Sequence, residues 1–201
     1  MPLLYHNNNS ISNITSFPLV PSGSPVLLST ATASGSASIS FTSGIDSIYD
    51  IYYFEFNSIH PSASGRFTFQ CSTNGGSSYN VTATTTFFRA YHDESDTASA
   101  LEYDGGGDQA QSTSFVNITD ILGTDNDLST SGNLYLFSPS SNTYVKHFIS
   151  TTNCMQYNPF SIQVNSAGYF NDGANDIDAV QFKMSSGNID AGTIKMYGIK
   201  A

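Results

Sequence analysis

Ile51-Tyr52-Tyr53-Phe54-Glu55-Phe56-Asn57-Ser58-Ile59 is the stretch that decides the fold class. Tyr52, Phe54 and Phe56 alternate with Ile51, Tyr53 and Glu55, a period of two that places the two sets on opposite faces of an extended chain, where a helix would scatter them. Aromatic and β-branched side chains suit a pleated, half-buried surface. His60-Pro61 ends the run. Just downstream, Phe67, Phe69 and Cys71 point one way while Arg66, Thr68 and Gln70 point the other, and Asn74-Gly75-Gly76-Ser77-Ser78 supplies residues that tolerate positive φ. That pattern predicts a β-hairpin over 67–88, with its second strand running from Tyr79 through Arg89.

Working outward, strand patterns recur at 26–28, 38–42, 114–119, 133–138, 143–150 and 161–170. The chain closes on a second predicted hairpin, 179–184 and 193–199, joined through Ser185-Ser186-Gly187-Asn188. Residues 91–111 break the rhythm: they collect six acidic residues and Gly105-Gly106-Gly107 without a strand period, which predicts a long exposed excursion. Eight to ten strands, turn signals at roughly ten-residue intervals and no amphipathic helix predict an all-β fold. The expected architecture is an antiparallel two-sheet sandwich, jelly-roll-like, over residues 25–201. An extended N-terminal arm, 1–24, precedes it, rich in Asn and Pro and dotted with apolar residues.

Composition supports folding and restricts partners. Of 201 residues only 11% are charged, against a typical figure of about 25%, while Ser and Thr supply about a quarter of the chain. Disordered chains share such polarity but lack aromatics, and 12 Tyr with 14 Phe are present here. Six Lys and Arg against 16 Asp and Glu give a net charge of −10, which repels phosphate backbones and anionic lipid, so nucleic acid is excluded as an expected partner. No run approaches the roughly 20 apolar residues of a membrane span, so membrane insertion is not expected either. The first residues, Met1-Pro2-Leu3-Leu4-Tyr5-His6, lack the basic and apolar segments of a secretory signal, and the expectation is a product made in the cytoplasm. Cys71 and Cys154 stand 83 positions apart with no CxxC or Cys/His cluster, a spacing that fits isolated buried thiols better than a zinc or redox site.

No constellation predicts a reaction. Acidic residues gather as Asp93, Glu94 and Asp96, as Asp104 and Asp108, as Asp125 and Asp127, and as Asp172, Asp176 and Asp178. None has the spacing and terminal Glu of an EF-hand, so they read as solvated loop acids. His6, His60, His92 and His147 are scattered, with no HExxH, and no Ser lies in GxSxG. The glycine strings lack the Lys and Thr of a phosphate loop. Asn13, Asn80 and Asn117 match glycosylation sequons, as chance allows in an Asn/Thr-rich chain. Glu55, Glu94 and Glu102 are the glutamates a glycan hydrolase would have to use, and Tyr49, Tyr52, Tyr53, Tyr79, Tyr91 and Tyr103 are the rings a sugar-binding face would draw on. The expected set of catalytic, cofactor-binding and metal-binding residues is therefore none.

Three stretches carry a resemblance: Ile51-Tyr52-Tyr53-Phe54-Glu55-Phe56-Asn57-Ser58-Ile59-His60-Pro61; Phe67-Thr68-Phe69-Gln70-Cys71-Ser72-Thr73-Asn74-Gly75-Gly76-Ser77-Ser78-Tyr79; and Gln181 to Ile199, with its Ser186-Gly187-Asn188-Ile189 and Gly192-Thr193-Ile194 elements. Over about residues 10–201 the chain resembles a family of virion structural proteins of marine tailed bacteriophages. The resemblance implies a β-sandwich without enzymatic activity or cofactor, oligomeric and often trimeric, mounted on the virion as a tail or head fibre, knob or capsid decoration. It implies other virion proteins, of capsid or tail, as partners, and it carries over no functional residue. Two alternatives stand beside it: a capsid cement protein stabilising the shell, and a carbohydrate-binding module recognising host surface glycans.

Overall fold

The computed structural model describes residues 23–156, 159–173 and 175–200. The predicted arm, 1–24, lies outside the described residues except for Gly23 and Ser24. The described chain is all-β, with twelve strands: β1 (Val26–Thr32), β2 (Ile39–Phe41), β3 (Ile51–Pro61), β4 (Phe67–Ser72), β5 (Ala83–Asp93), β6 (Ser99–Tyr103), β7 (Val116–Asn117), β8 (Thr130–Phe137), β9 (Lys146–Met155), β10 (Phe160–Phe170), β11 (Ala179–Met184) and β12 (Ile189–Ile199). They form two antiparallel sheets. The larger has the order β1-β12-β3-β8-β9-β10-β5-β6, and the smaller β2-β11-β4-β7.

The pairings β1 with β12, β2 with β11, β3 with β8 and β4 with β7 trace one long antiparallel ribbon, wound so that successive strands alternate between sheets. This is a jelly-roll-like path. Two insertions, β5-β6 and β9-β10, both join the larger sheet and widen it to eight strands. The alternation predicted over 51–59 is the core of β3: Tyr52, Phe54, Phe56 and Ile59 are buried, while Tyr53 and Glu55 face outward.

The layers meet on phenylalanine. Phe182 of β11 lies 5.2 Å from Phe54 and 5.3 Å from Phe56 across the sandwich, and stacks within its own sheet on Phe67 at 5.7 Å and Phe69 at 6.1 Å. Phe69 continues the contact to Phe148 and Phe170 of the larger sheet at 5.0 and 5.5 Å. The edge-to-face geometry of most of these pairs is the one the ring quadrupoles favour.

Both predicted hairpins prove to be crossings between sheets. β4 pairs with β11 and β7, whereas β5 pairs with β10 and β6. Likewise β11 pairs with β2 and β4, and β12 with β1 and β3. The turn chemistry was read correctly, since Gly75, Gly76 and Gly187 hold φ of 69°, 82° and 69°. Reversing the chain within a sheet and arching it over to the facing sheet demand the same positive-φ residues, so the local signal does not separate them. What separates them is burial: every residue of β4 is buried, so its Thr68, Gln70 and Ser72 face is covered too. The cover is the 109–115 segment, from which Gln70 Nε2 reaches the carbonyls of Thr113 and Ser114 at 3.1 and 2.9 Å.

Residues 91–111 are not a plain excursion. β5 runs on to Asp93, turns, and returns as β6. Asp93 builds that turn as an internal cap, its carboxylate accepting from the N–H groups of Thr97 and Ala98 at 2.8 and 2.9 Å. Smaller differences are of extent: the strand predicted from Tyr79 begins at Ala83, that predicted from 143 begins at Lys146, and 114–119 contributes only the two-residue β7.

Phe182→Ala should therefore destabilise the fold by about 3–5 kcal/mol, the usual cost of removing a fully buried phenyl ring. Denaturant unfolding checks it; a loss below about 1 kcal/mol would show that the inter-sheet cluster does not hold the layers together.

Candidate functional site

The smaller sheet is only four strands wide, so the inner face of β10, β5 and β6 needs another cover, and the 104–122 segment supplies it. Along that seam the chain gathers its densest set of charges. Arg66 precedes β4 and reaches Asp104 at 3.0 Å and Asp120 at 3.7 Å. Arg89, on the inward side of β5, bonds Glu102 on the neighbouring β6 at 2.7 Å and pairs with Asp120. Asp120 is 1% exposed, and its other oxygen accepts the Ile121 N–H at 2.7 Å. Arg66 also lies over the Phe87 ring at 5.1 Å, and Arg89 over Tyr91 at 5.8 Å.

Two guanidiniums and three carboxylates thus form one network. Burial pulls the Arg89 guanidinium down, but hydrogen bonds from Glu102 and Asp120 outweigh it and raise its pKa. Burial pushes the Asp104 carboxyl up, yet the Gly106 N–H and Arg66 together hold it below the ordinary carboxylate range. Asp93, bonded by the Thr97 hydroxyl and the Ala98 N–H, is also lowered. Except for Arg66 Nη1, which is buried without a hydrogen-bond partner, the polar ends aim at other members of the network or at backbone, an arrangement suited to fastening the seam. The sequence reading grouped Asp104 with Asp108 as solvated acids and singled out neither Arg66, Arg89 nor Asp120. Their partners stand 13 to 54 positions away, and no local pattern reports such contacts.

The remaining sequence candidates are dispersed. Among the described residues, no group of three or more His, Cys, Asp or Glu is placed to hold a metal ion. Asp172 and Asp178 brace the turn after β4, accepting from Thr73 Oγ1 at 3.0 Å and the Gly75 N–H at 2.8 Å. Glu55 pairs with Lys195 on the outer face of β3 and β12. Glu102 faces the other side, five strands away, about 24 Å at ordinary strand spacing, far beyond the separation of a glycosidase pair. The tyrosines do not share one loop end: Tyr52 is core, Tyr49 packs against it, Tyr91 packs on Phe160, Tyr53 sits mid-sheet on the outer face and Tyr103 lies on the edge strand. Both cysteines are buried free thiols, and burial pushes Cys154 up to about 12, which removes nucleophilic character at neutral pH.

One cleft joins residues that sequence reasoning left apart. Ser58, His60 and Asp190 line a depression of about 480 Å³ beside Asp127 and Ser129. His60 Nδ1 lies 3.5 Å from Asp190, as a base with its orienting carboxylate would. The other ring nitrogen, however, lies 3.2 Å from the Asp125 carbonyl, and the Ser58 hydroxyl donates to Asn57 Oδ1 at 3.1 Å. Base and hydroxyl therefore face away from each other, and the alignment that activates a nucleophile is not made. Ser58 holds φ of 50° because β3 bulges there against Gly192 of β12.

The seam network has a pH signature. A carboxyl lowered in the folded state contributes stability that is complete above its unfolded value, about 3.9 for Asp, and is lost as pH falls through the folded value. Asp104→Asn should lower the melting temperature at pH 7, with the gap to the parent closing below about pH 4. Asp120→Ala, which removes the carboxylate the two guanidiniums share and leaves each with one other partner, should cost about 1–3 kcal/mol at pH 7. Thermal melts between pH 7 and 2.5 read both, and a gap for Asp104→Asn that widens in acid would contradict the assignment.

No family model, curated protein or solved structure matches this chain.

Proposed function

We propose that the chain is a structural protein displayed on the surface of a bacteriophage particle, as a fibre, knob or capsid decoration, acting through assembly. The observation that supports this reading is where the three resembling stretches fall. They are β3, β4 with its following turn, and β11 through β12, strands that pair at the centre of the smaller sheet and next to the β1 edge of the larger, and that supply much of the aromatic layer between them. The resemblance thus lies in framework and not in a site, as suits a protein whose work is to hold a shape. The chemistry of the surface is consistent with that work. Hydroxyl and amide side chains carry solubility, few cations are present, and the two thiols are buried.

In this reading the arm, residues 1–24, attaches the sandwich to the particle, and the loops present the far end to the medium. The expected outcome is that the protein co-purifies with virions of the phage that encodes it, and that a chain lacking residues 1–24 folds but is lost from them. Quantitative gel densitometry of purified particles checks both and distinguishes roles, since cement occupies lattice positions in hundreds of copies and a fibre occurs in few. Absence of the full-length protein from particles would overturn the proposal, and undiminished incorporation of the truncated chain would overturn the anchoring role.

A further inference from the structure

The two outer faces of the sandwich differ. The smaller sheet is covered at β4 by the chain's own 109–115 segment, and Lys183 of β11 caps the Phe115 ring at 3.9 Å. The larger sheet carries instead a continuous row of outward side chains in register: Leu27 beside Tyr197, Tyr53, Tyr135, Ile149, Ala167 and Thr86, crossing seven of its eight strands. A second, flanking row includes Ile199, Ile51 and Phe137. Leu27 and Ile149 are each about half exposed.

The row is not level. Tyr53 packs on Tyr135 at 4.8 Å and on Tyr197 at 5.6 Å, making a ridge of three rings over β12, β3 and β8. Beyond β8 the side chains shrink to Ala167 and Thr86, and a trough of about 440 Å³ opens between His147, Ile149, Tyr169 and Thr84. The ridge and the trough lie on opposite sides of the boundary between β8 and β9, in the same row.

We infer that this face pairs with the same face of a second copy of the chain, ridge into trough, about a two-fold axis running along the strands between β8 and β9. That axis exchanges β8 with β9, β3 with β10 and β12 with β5. It sets Tyr135 of one copy against Ile149 of the other, and Tyr53 against Ala167, each contact made twice, as an isologous interface requires. Charge selects the occupant. A basic partner would seek carboxylates, but the acids lie in turns and the seam. The one acid in the ordered rows of this face, Glu55, is already neutralised by Lys195 at 3.4 Å. Two chains of net charge −10 approach with least repulsion on a face that carries no net charge. Size agrees: eight strands at ~4.8 Å spacing and about 20 Å of strand length present roughly 700 Å², near the ~800 Å² per partner of a stable interface. The inference stands on the sheet alone and does not rest on the particle reading.

Analytical ultracentrifugation of the full chain from 1 to about 100 µM is the test. The wild type should sediment as a dimer. Ala167→Glu and Ile149→Glu, both outward-facing, should each raise the dissociation constant on the order of 100-fold or more, because each buries an unpaired charge twice per interface. Ser40→Glu, on the outer face of the smaller sheet, should remain dimeric. Circular dichroism melts confirm that all three fold. A further variant, Tyr53→Cys with Ala167→Cys, should cross-link between copies on oxidation. A monomer throughout the range overturns the inference, whatever else lies on the face. A dimer insensitive to both glutamates, a trimer, or a dimer that does not cross-link overturns it equally.

Discussion

The layer of phenylalanine rings between the sheets is the constraint from which the rest of this structure follows. Phe182 has ring neighbours on β2, β3 and β4, that is, on both sheets at once. A ring so placed can be buried only if β11 is a central strand, with β2 on one side and β4 on the other, and only if β3 crosses directly above. Once those four strands are fixed, the ribbon has no freedom in how it winds. β12 must pass to the opposite sheet to reach β3, and β7 must close against β4. Hydrophobic burial, being non-directional, does not choose a topology by itself. Edge-to-face rings at about 5 Å from several strands restrict the packings much more tightly.

The widening of one sheet follows from the same frame and creates the seam. β5, β6 and the parts of β9 and β10 beyond Phe148 and Phe170 extend past the four-strand partner, so inward residues there, such as Thr152 and Arg89, meet a covering segment instead of a sheet. A segment of irregular backbone cannot offer a ladder of hydrogen bonds, and polar groups beneath it need partners of other kinds. The Arg66–Asp104–Asp120–Arg89–Glu102 network supplies them, together with Phe67 N–H to Thr119 Oγ1 at 2.8 Å and Thr152 Oγ1 to the Ile118 carbonyl at 2.6 Å. Ion pairs of this kind fix register more than they add net stability. Here the register matters because the covering segment is aligned by the two residues of β7 and by isolated bridges such as Ala83 with Ser112 and Gly65 with Leu122, and not by a continuous ladder.

Much of the fold was legible in residue order, for a physical reason: the alternation in 51–59, 161–170 and 179–184 reports which side of a strand is wet, and that is a local property. Strand partnership is not. Gly75-Gly76 and Gly187 were correctly read as positive-φ turns, yet whether a turn returns to its own sheet or arches to the facing one depends on residues more than a hundred positions away, such as the Arg66–Ser185 contact that pins 185–188 to the start of β4. Residues 91–111 misled for another reason. Leu101 and Tyr103 face out on an edge strand while Ala100 and Glu102 take the half-buried positions, so the alternation of β6 runs against hydrophobicity and leaves little trace in sequence. The seam was hidden for the same reason as the sheet partners, since its charges meet only through tertiary structure.

The low cation count acquires a different meaning once the positions are known. Six Lys and Arg in 201 residues suggest only a weak attraction for anionic partners. In the fold, Arg66 and Arg89 lie in the seam, Lys183 sits over Phe115, Lys195 pairs with Glu55, and Lys146, 1% exposed, donates to the Gly173 carbonyl at 3.2 Å. Positive charge is thus used to fasten chain segments to one another, while exposed negative charge is left to loops such as those holding Glu94 and Asp127. A surface built this way carries a net negative field with few cations placed to offset it locally. It also leaves the broad outer face of the larger sheet as the place where another macromolecule can approach without meeting that field. The scarcity of charge in the sequence and the aromatic ridge on the sheet are, in this sense, two parts of one design: the few cations fasten the chain to itself, and the sheet face between the acidic loops is left neutral.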